Sequence, residues 1–171
     1  ELFRLHVIAN SDSEEDQNLK YIVRDNLINY MNTLTQDSQT KEDAILLAQE
    51  HSDDFYKIAN DTIKNLGYNY DVKINIGNYH FPTKYYGDIS LPAGNYDALK
   101  VEIGNAEGQN WWCVMFPPLC FVDISTGIVP EESKEYLKEN LTNEELSLVS
   151  DNKKSNISSN SNIQKIFSFC C

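Results

Sequence analysis

A chain of 171 residues, 41% hydrophobic and 11% aromatic, is long enough to bury one well-formed core and has the composition of a folded domain. Its 14 basic against 26 acidic residues give a net charge of −12, which makes a phosphate backbone or an anionic lipid surface a poor partner and excludes nucleic-acid binding as the leading expectation. No apolar run reaches the length that spans a bilayer, so no direct membrane insertion is expected of these residues.

Leu2 to Ala9 alternates as a strand, with Phe3, Leu5, Val7 and Ala9 on one face and the mixed set Leu2, Arg4, His6 and Ile8 on the other, which predicts a central or nearly central position. Asn10 to Ser13 supplies a turn, and Ser11 with Glu14 fits a capping box, the acids Asp12, Glu14, Glu15 and Asp16 suiting a helix N-terminus. Leu19, Ile22, Val23, Leu27, Tyr30, Met31 and Leu34 recur at the spacing of an amphipathic helix. Thr40 with Asp43 begins a second helix, whose apolar positions Ile45, Ala48, Phe55, Ala59, Ile63 and Leu66 keep the period up to a C-cap at Gly67. The short link predicts antiparallel packing of the two.

From Tyr68 to Gly77 the period switches to two, the mark of a half-buried strand. Pro82 makes Tyr79 to Gly87 an edge strand or an extended loop that leaves the sheet, and Pro92-Ala93-Gly94-Asn95 is a turn before a strand from Tyr96 to Ile103. Gly104 to Gln109 connects that strand to a last one, Asn110 to Phe116, completing an antiparallel meander in the simplest topology. This last strand turns Trp111, Cys113 and Met115 one way and Trp112, Val114 and Phe116 the other, both faces apolar, and Pro117-Pro118 ends it. Beyond Asp123 a helix is expected from Pro130 to about Leu141, with Thr142 and Glu145 capping a further turn. The fold class is α+β: an N-terminal strand, two long antiparallel helices packed on a largely antiparallel sheet, a short C-terminal helix and a terminal strand. Residues 1–149 read as one domain, 150–162 as a flexible polar loop and 163–171 as a C-terminal strand or tail, in which Ile163, Phe167 and Phe169 share a face.

No residue pattern points to catalysis. His6, His51 and His80 stand in no metal-binding spacing, and GxSxG, Walker and GxGxxG motifs are absent, so no catalytic residue, metal or cofactor is expected. A thiol nucleophile at Cys113 or Cys120 with His80 as base, or a long-range site of His6, His80 and Cys113 or Asp12, has no support from spacing, and the bulky apolar surroundings of Cys113 raise a thiol pKa. The four cysteines allow three fully paired connectivities: Cys113 and Cys120 flank the Pro-Pro bend, while Cys170 and Cys171 could staple the tail to the core or link two chains, which leaves a disulfide-linked or non-covalent homodimer open. The chemistry that remains is recognition. Phe81, Tyr85, Tyr86, Trp111 and Trp112 exceed what one sheet face must bury, Lys84 lies among them and Asn110 adds a polar handle; these seven are the candidate partner-binding residues, with Phe81 to Gly87 the preferred exposed surface.

The stretch NWWCVMFPPLCFVD from Asn110 to Asp123, together with Phe81-Pro82-Thr83-Lys84, Leu91-Pro92-Ala93-Gly94 and the run from Arg4 to Asp12, resembles the stage II sporulation protein R family of endospore-forming bacteria, and the likeness extends from about Phe3 to Val149. The resemblance implies a secreted signalling protein, not an enzyme, that the forespore delivers into the space between the two membranes of a sporulating cell. There it would activate a membrane-embedded aspartic-type protease of the mother cell, which cleaves a sigma-factor precursor. It implies an export segment ahead of the first strand, and it favours Cys113–Cys120 as the disulfide, because that pair lies inside the family-like motif and Cys170 and Cys171 lie outside it. The competing expectation is a thiol- or metal-dependent hydrolase of the same space, acting on cell-wall material.

Overall fold

The computed structural model of the chain describes residues 2–38, 40–86 and 89–117. The helix expected from Pro130, the polar loop, the terminal strand and the domain limit at residue 149 all lie outside them. In chain order the elements are β1 (Phe3–Ile8), α1 (Glu14–Leu34), α2 (Lys41–Glu50), α3 (Ser52–Asn65), β2 (Val72–Phe81), β3 (Lys84–Tyr86), β4 (Ile89–Leu91), β5 (Gly94–Ile103) and β6 (Asn110–Phe116). This is an α+β fold whose described main sheet has the order β2-β5-β1-β6, with β3 and β4 paired in a small sheet of their own.

The order overturns the expected meander, since β5 and β6 do not pair. β1 lies between them, parallel to β5 and antiparallel to β6, while β2 pairs antiparallel with β5, so the sheet is mixed but mostly antiparallel. The cause is that β1 must be buried on both faces: Phe3, Leu5 and Val7 are fully buried on one, and on the other Arg4 is 0% and His6 7% exposed. A strand of that kind is stable only with neighbours on both edges. The loop after β5 therefore passes over the end of β1, where Glu107 N donates to Asn10 O at 3.2 Å, Gly108 N to Ala9 O at 2.9 Å and Ala9 N to Gln109 O at 3.4 Å.

Two positions correct the strand limits. β2 begins at Val72 and not at Tyr68, and it stays paired with β5 through Phe81 opposite Gly94, so Tyr79 to Phe81 belong to an edge strand of the described sheet and the chain leaves it only at Pro82. In β6 the register steps from Phe3 opposite Phe116 to Arg4 opposite Val114, a bulge that absorbs Met115. Beyond the bulge Phe116 shares the side of Phe3, so the alternation that groups it with Trp112 fails at that one residue, and Phe116 joins the core cluster with Met115. The Phe116–Pro117 bond is cis.

The helices cover the face of Phe3, Leu5 and Val7, where Leu19, Val23, Leu27 and Met31 of α1, Ala44 and Ala48 of α2, and Phe55, Ala59 and Ile63 of α3 complete the core. The spacing predicts one second helix from Thr40 to Gly67; the structure breaks it at His51, which closes α2 by donating its N–H to Leu47 O at 3.0 Å and precedes the first turn of α3. There are thus three helices among the described residues, one long and two shorter. Ser52, Asp53 and Asp54 explain the break, because their side chains favour a helix start over a helix interior. The break is held by Tyr30, whose hydroxyl donates to Asp54 Oδ2 at 2.9 Å and lies 2.9 Å from His51 Nδ1. Asn26 of α1 bonds Thr62 of α3, and Tyr30 further along α1 reaches back to Asp54, so α3 runs opposite to α1.

The start of α1 is a polar clamp. The N-cap is Ser13, whose Oγ accepts from Asp16 N at 3.2 Å, and not Ser11. Ser11 Oγ donates instead to Asp16 Oδ2 at 2.6 Å, beside Asn10 Nδ2 at 2.8 Å. Asn10 Oδ1 accepts from Asn105 N at 2.9 Å, and Asp12 Oδ1 from Gln109 N at 2.8 Å, which ties the turn after β1 to the loop before β6. Lys20, fully buried, joins them by donating to Gln17 Oε1 at 2.5 Å and Gln109 O at 3.2 Å. Burial of Asp16 works against its charge, but the hydrogen bonds from Ser11, Asn10 and Tyr70 outweigh it and hold the carboxyl below its ordinary pKa. Asp16→Ala is expected to cost about 2 kcal/mol at pH 7, the scale of losing a charged acceptor that serves several donors. Urea unfolding checks it, and because the folded-state pKa is depressed, the difference between the two proteins should vanish as the pH falls through that value.

Candidate partner-binding site

On the sheet face opposite the helices, the register places Trp112 and Lys100 beside His6, and Val114 and Ala98 beside Arg4. Tyr96 and Phe81 continue that face at the end of β5 and β2. The side chains meet in one cluster. The guanidinium of Arg4 lies 4.2 Å from the centre of the Phe81 ring and 4.7 Å from that of Tyr96. Phe81 presents an edge to Tyr96 at 5.7 Å, to Trp112 at 4.7 Å and to His6 at 5.9 Å. His6 and Trp112 stack at 3.7 Å with 15° between their planes. A cation between aromatic faces in a desolvated site is a favourable substitute for hydration, which is how a fully buried arginine is accommodated in a central strand.

His6 Nε2 lies 2.6 Å from Asn110 Oδ1, and because a carbonyl oxygen only accepts, Nε2 carries the proton of the neutral ring. Burial lowers the His6 pKa to about 4; the Asn110 bond and Glu102 oppose the shift, and Lys100 and Arg4 reinforce it. The imidazole is therefore a neutral packing element and not an acid–base group at neutral pH.

Above this scaffold the chain leaves the sheet. Ala93 N donates to Thr83 Oγ1 at 3.0 Å and Tyr96 OH to Pro92 O at 2.7 Å, so the segments Phe81-Pro82-Thr83-Lys84 and Leu91-Pro92-Ala93-Gly94 are tied together at the base of the β3–β4 hairpin. Leu91 and Phe81 are buried there, whereas Tyr85 is 61% exposed. Of the seven residues named from the sequence, Phe81, Asn110 and Trp112 meet through His6, and Lys84 and Tyr85 stand on β3, three and four residues beyond Phe81; the Tyr86 side chain is outside the described set. Trp111 points to the opposite face, against Tyr21 and Arg24 of α1. Arg4, His6 and Tyr96 are the members that the sequence reading leaves out; an arginine and a histidine in an otherwise apolar strand were the signal for the first two.

The histidines and Cys113 do not converge. His6 is on the face opposite the helices, Cys113 is buried on the helix side, His80 Nδ1 pairs with Asn95 Oδ1 at 3.3 Å and Asp12 is taken up in the clamp. Among the described residues no group of three or more His, Cys, Asp or Glu side chains is placed to hold a metal ion. Cys120, Cys170 and Cys171 lie outside the described residues.

Residues 1–126, which include the whole described cluster, match the family model described as stage II sporulation protein R. The chain is 39% identical over 137 residues to the Stage II sporulation protein R of Bacillus subtilis (strain 168), an alignment covering 79% of this chain and 61% of that relative. The chain thus matches less than two thirds of that protein's length. No solved structure matches.

Proposed function

The chain belongs to the stage II sporulation protein R family, and from that premise we propose that it is a sporulation signal secreted by the forespore into the intermembrane space, where it activates a membrane-embedded aspartic-type protease of the mother cell and so triggers cleavage of a sigma-factor precursor. The observation that carries the reading is the family match across the residues that build the described sheet and its aromatic scaffold. In this reading the buried cluster of Arg4, Phe81, Tyr96, His6 and Trp112 fixes the β3–β4 hairpin, and Tyr85 with Lys84 is the part offered to the receptor. A rigid exposed aromatic suits a hot spot because little side-chain entropy is lost on docking. To activate the receptor, the protein must bind its active or dimeric form more tightly than its inactive one.

We also propose that Cys113 pairs with Cys120. Burial of Cys113 in the apolar core supports a pairing or packing role and weighs against a thiol nucleophile at that position.

Reconstitution tests the function: purified protein is added to membranes bearing the candidate receptor protease and its sigma-factor substrate. Wild-type protein is expected to trigger cleavage, and Tyr85→Ser to raise the half-maximal concentration by roughly 30-fold, the scale of an anchor worth about 2 kcal/mol. Cleavage with an unchanged half-maximum in that variant would remove the hairpin from the contact surface. Loss of cleavage in a folded His80→Gln or Cys120→Ser variant that still binds the receptor would instead favour chemistry by the protein itself.

A further inference from the structure

On the helix side of β6, Trp111 and Arg24 share a feature that the receptor reading does not use. The Trp111 indole is 9% exposed and lies 4.2 Å from Arg24 Cζ, and the Tyr21 ring closes the group, 5.0 Å from that carbon and edge-on to Trp111 at 5.6 Å. Arg24, its side chain 13% exposed, spends one edge of its fork on the next residue, with Nε 2.7 Å and Nη2 2.6 Å from Asp25 Oδ1. The other edge is unused. Arg24 Nη1 and Trp111 Nε1 are both buried, and neither has a hydrogen-bond partner among the described residues.

Stacking satisfies the face of a guanidinium but not its in-plane N–H groups, and the indole N–H likewise points out of the ring edge. Buried donors left unmet are costly, more so when charged, and folded proteins rarely keep them without a use. Both of these groups can only donate, so what completes them must bring acceptors, and a carboxylate brings two and no donor. Lys20 Nζ, 4.8 Å from the centre of the Tyr21 ring, adds a second positive charge close by, and Asp25 offsets one. These three described side chains together carry one net positive charge, which suits a monoanion better than a phosphate dianion.

We propose that Arg24 and Trp111 form a binding site for a carboxylate, one oxygen taking the Nη1 donor and the other the indole N–H. The ligand is either a free carboxylic acid or the acidic side chain of a peptide. The site stands apart from the β3–β4 hairpin and does not depend on the receptor reading.

The indole N–H resonances of the two tryptophans report on it directly, with Trp112→Phe assigning them. Titration with acetate at constant ionic strength is expected to shift the Trp111 signal saturably and leave the Trp112 signal in place. Arg24→Gln is expected to weaken that response about tenfold or more. Should Arg24→Gln not fold, Arg24→Lys serves in its place, since it keeps the charge and removes the fork. A blocked peptide with one glutamate is compared with its glutamine counterpart: tighter binding of the glutamate peptide than of acetate identifies a peptide ligand, and equal binding a free acid. A Trp111 signal that follows chloride as it follows acetate, that responds equally in the Arg24 variant, that prefers inorganic phosphate, or that shows only a bound water would overturn the proposal.

Discussion

Gly108→Ala is expected to lower stability by about 3 kcal/mol, at the upper end of what overpacking costs. A methyl group at Gly108 would overlap the carbonyl oxygen of Ser11 and lie 2.5 Å from the carbonyl carbon, with the Ala9 side chain 3.0 Å away. The obstacle is backbone, and that backbone cannot retreat, because Gln17 Nε2 donates to Ser11 O at 2.9 Å and Gly108 N to Ala9 O at 2.9 Å. Gly67 gives the contrast: its φ of +85° favours glycine, but a methyl there meets nothing within 4 Å, so Gly67→Ala should cost only about 1 kcal/mol. Urea midpoints of the two variants, read at a common slope, decide the matter. Equal midpoints would mean that the loop before β6 moves freely over the end of β1 and that the polar clamp is not rigid.

Acid should loosen the aromatic scaffold before it discharges the carboxylates. Burial depresses the His6 pKa from 6.5 to about 4, so between those values the unfolded chain binds a proton that the folded chain refuses. Stability therefore rises with pH across that window and is lost as the pH falls from about 6.5 to about 4, a change of about 3 kcal/mol if the whole shift is expressed. Asp16 and Asp97, whose folded pKa values lie below their ordinary ones, add their loss at lower pH; for Asp97 the Lys41 ammonium 2.9 Å away is the main cause and Asn78 the second. His6→Phe keeps a flat ring against Trp112 and cannot take up a proton. Its stability relative to wild type should improve steadily as pH drops from 6.5 to 4, and a difference that stays constant would show that His6 is not held neutral by burial.

How far the sequence reached is plain at three places. The limits of β6 could be read because Asn110 to Met115 alternate and a proline pair follows, only the bulge that turns Phe116 to the core being hidden, and β1 could be placed centrally because one of its faces is apolar and the other mixed. The break at His51 was hidden because the apolar positions Ala48 and Phe55 are seven residues apart, two turns of an uninterrupted helix, so periodicity alone carries no trace of it. The pairing of strands was out of reach for another reason: sequence neighbours favour a meander, and only the register reveals that a strand some hundred residues earlier fits between β5 and β6. The site follows the same logic. Phe81 and Trp112 were visible as surplus aromatics, but their meeting depends on His6 and Arg4 in β1, which with β5 lies between their strands.

The central place of β1 also reverses the order in which the molecule can be assembled. Residues 3–8 come first among the described strands, yet their partners are residues 97–102 and 110–116, so the described main sheet cannot close until nearly all of the described chain exists. The contacts that define the fold span long loops, whose closure entropy must be met before they contribute, and such proteins fold slowly for their size. β1 thus waits unpaired while three helices and the strands β2, β3 and β4 are completed behind it. A fragment ending before Asn110 has nothing to set on the outer edge of β1, and one lacking residues 3–8 leaves β5 and β6 without the strand that joins them.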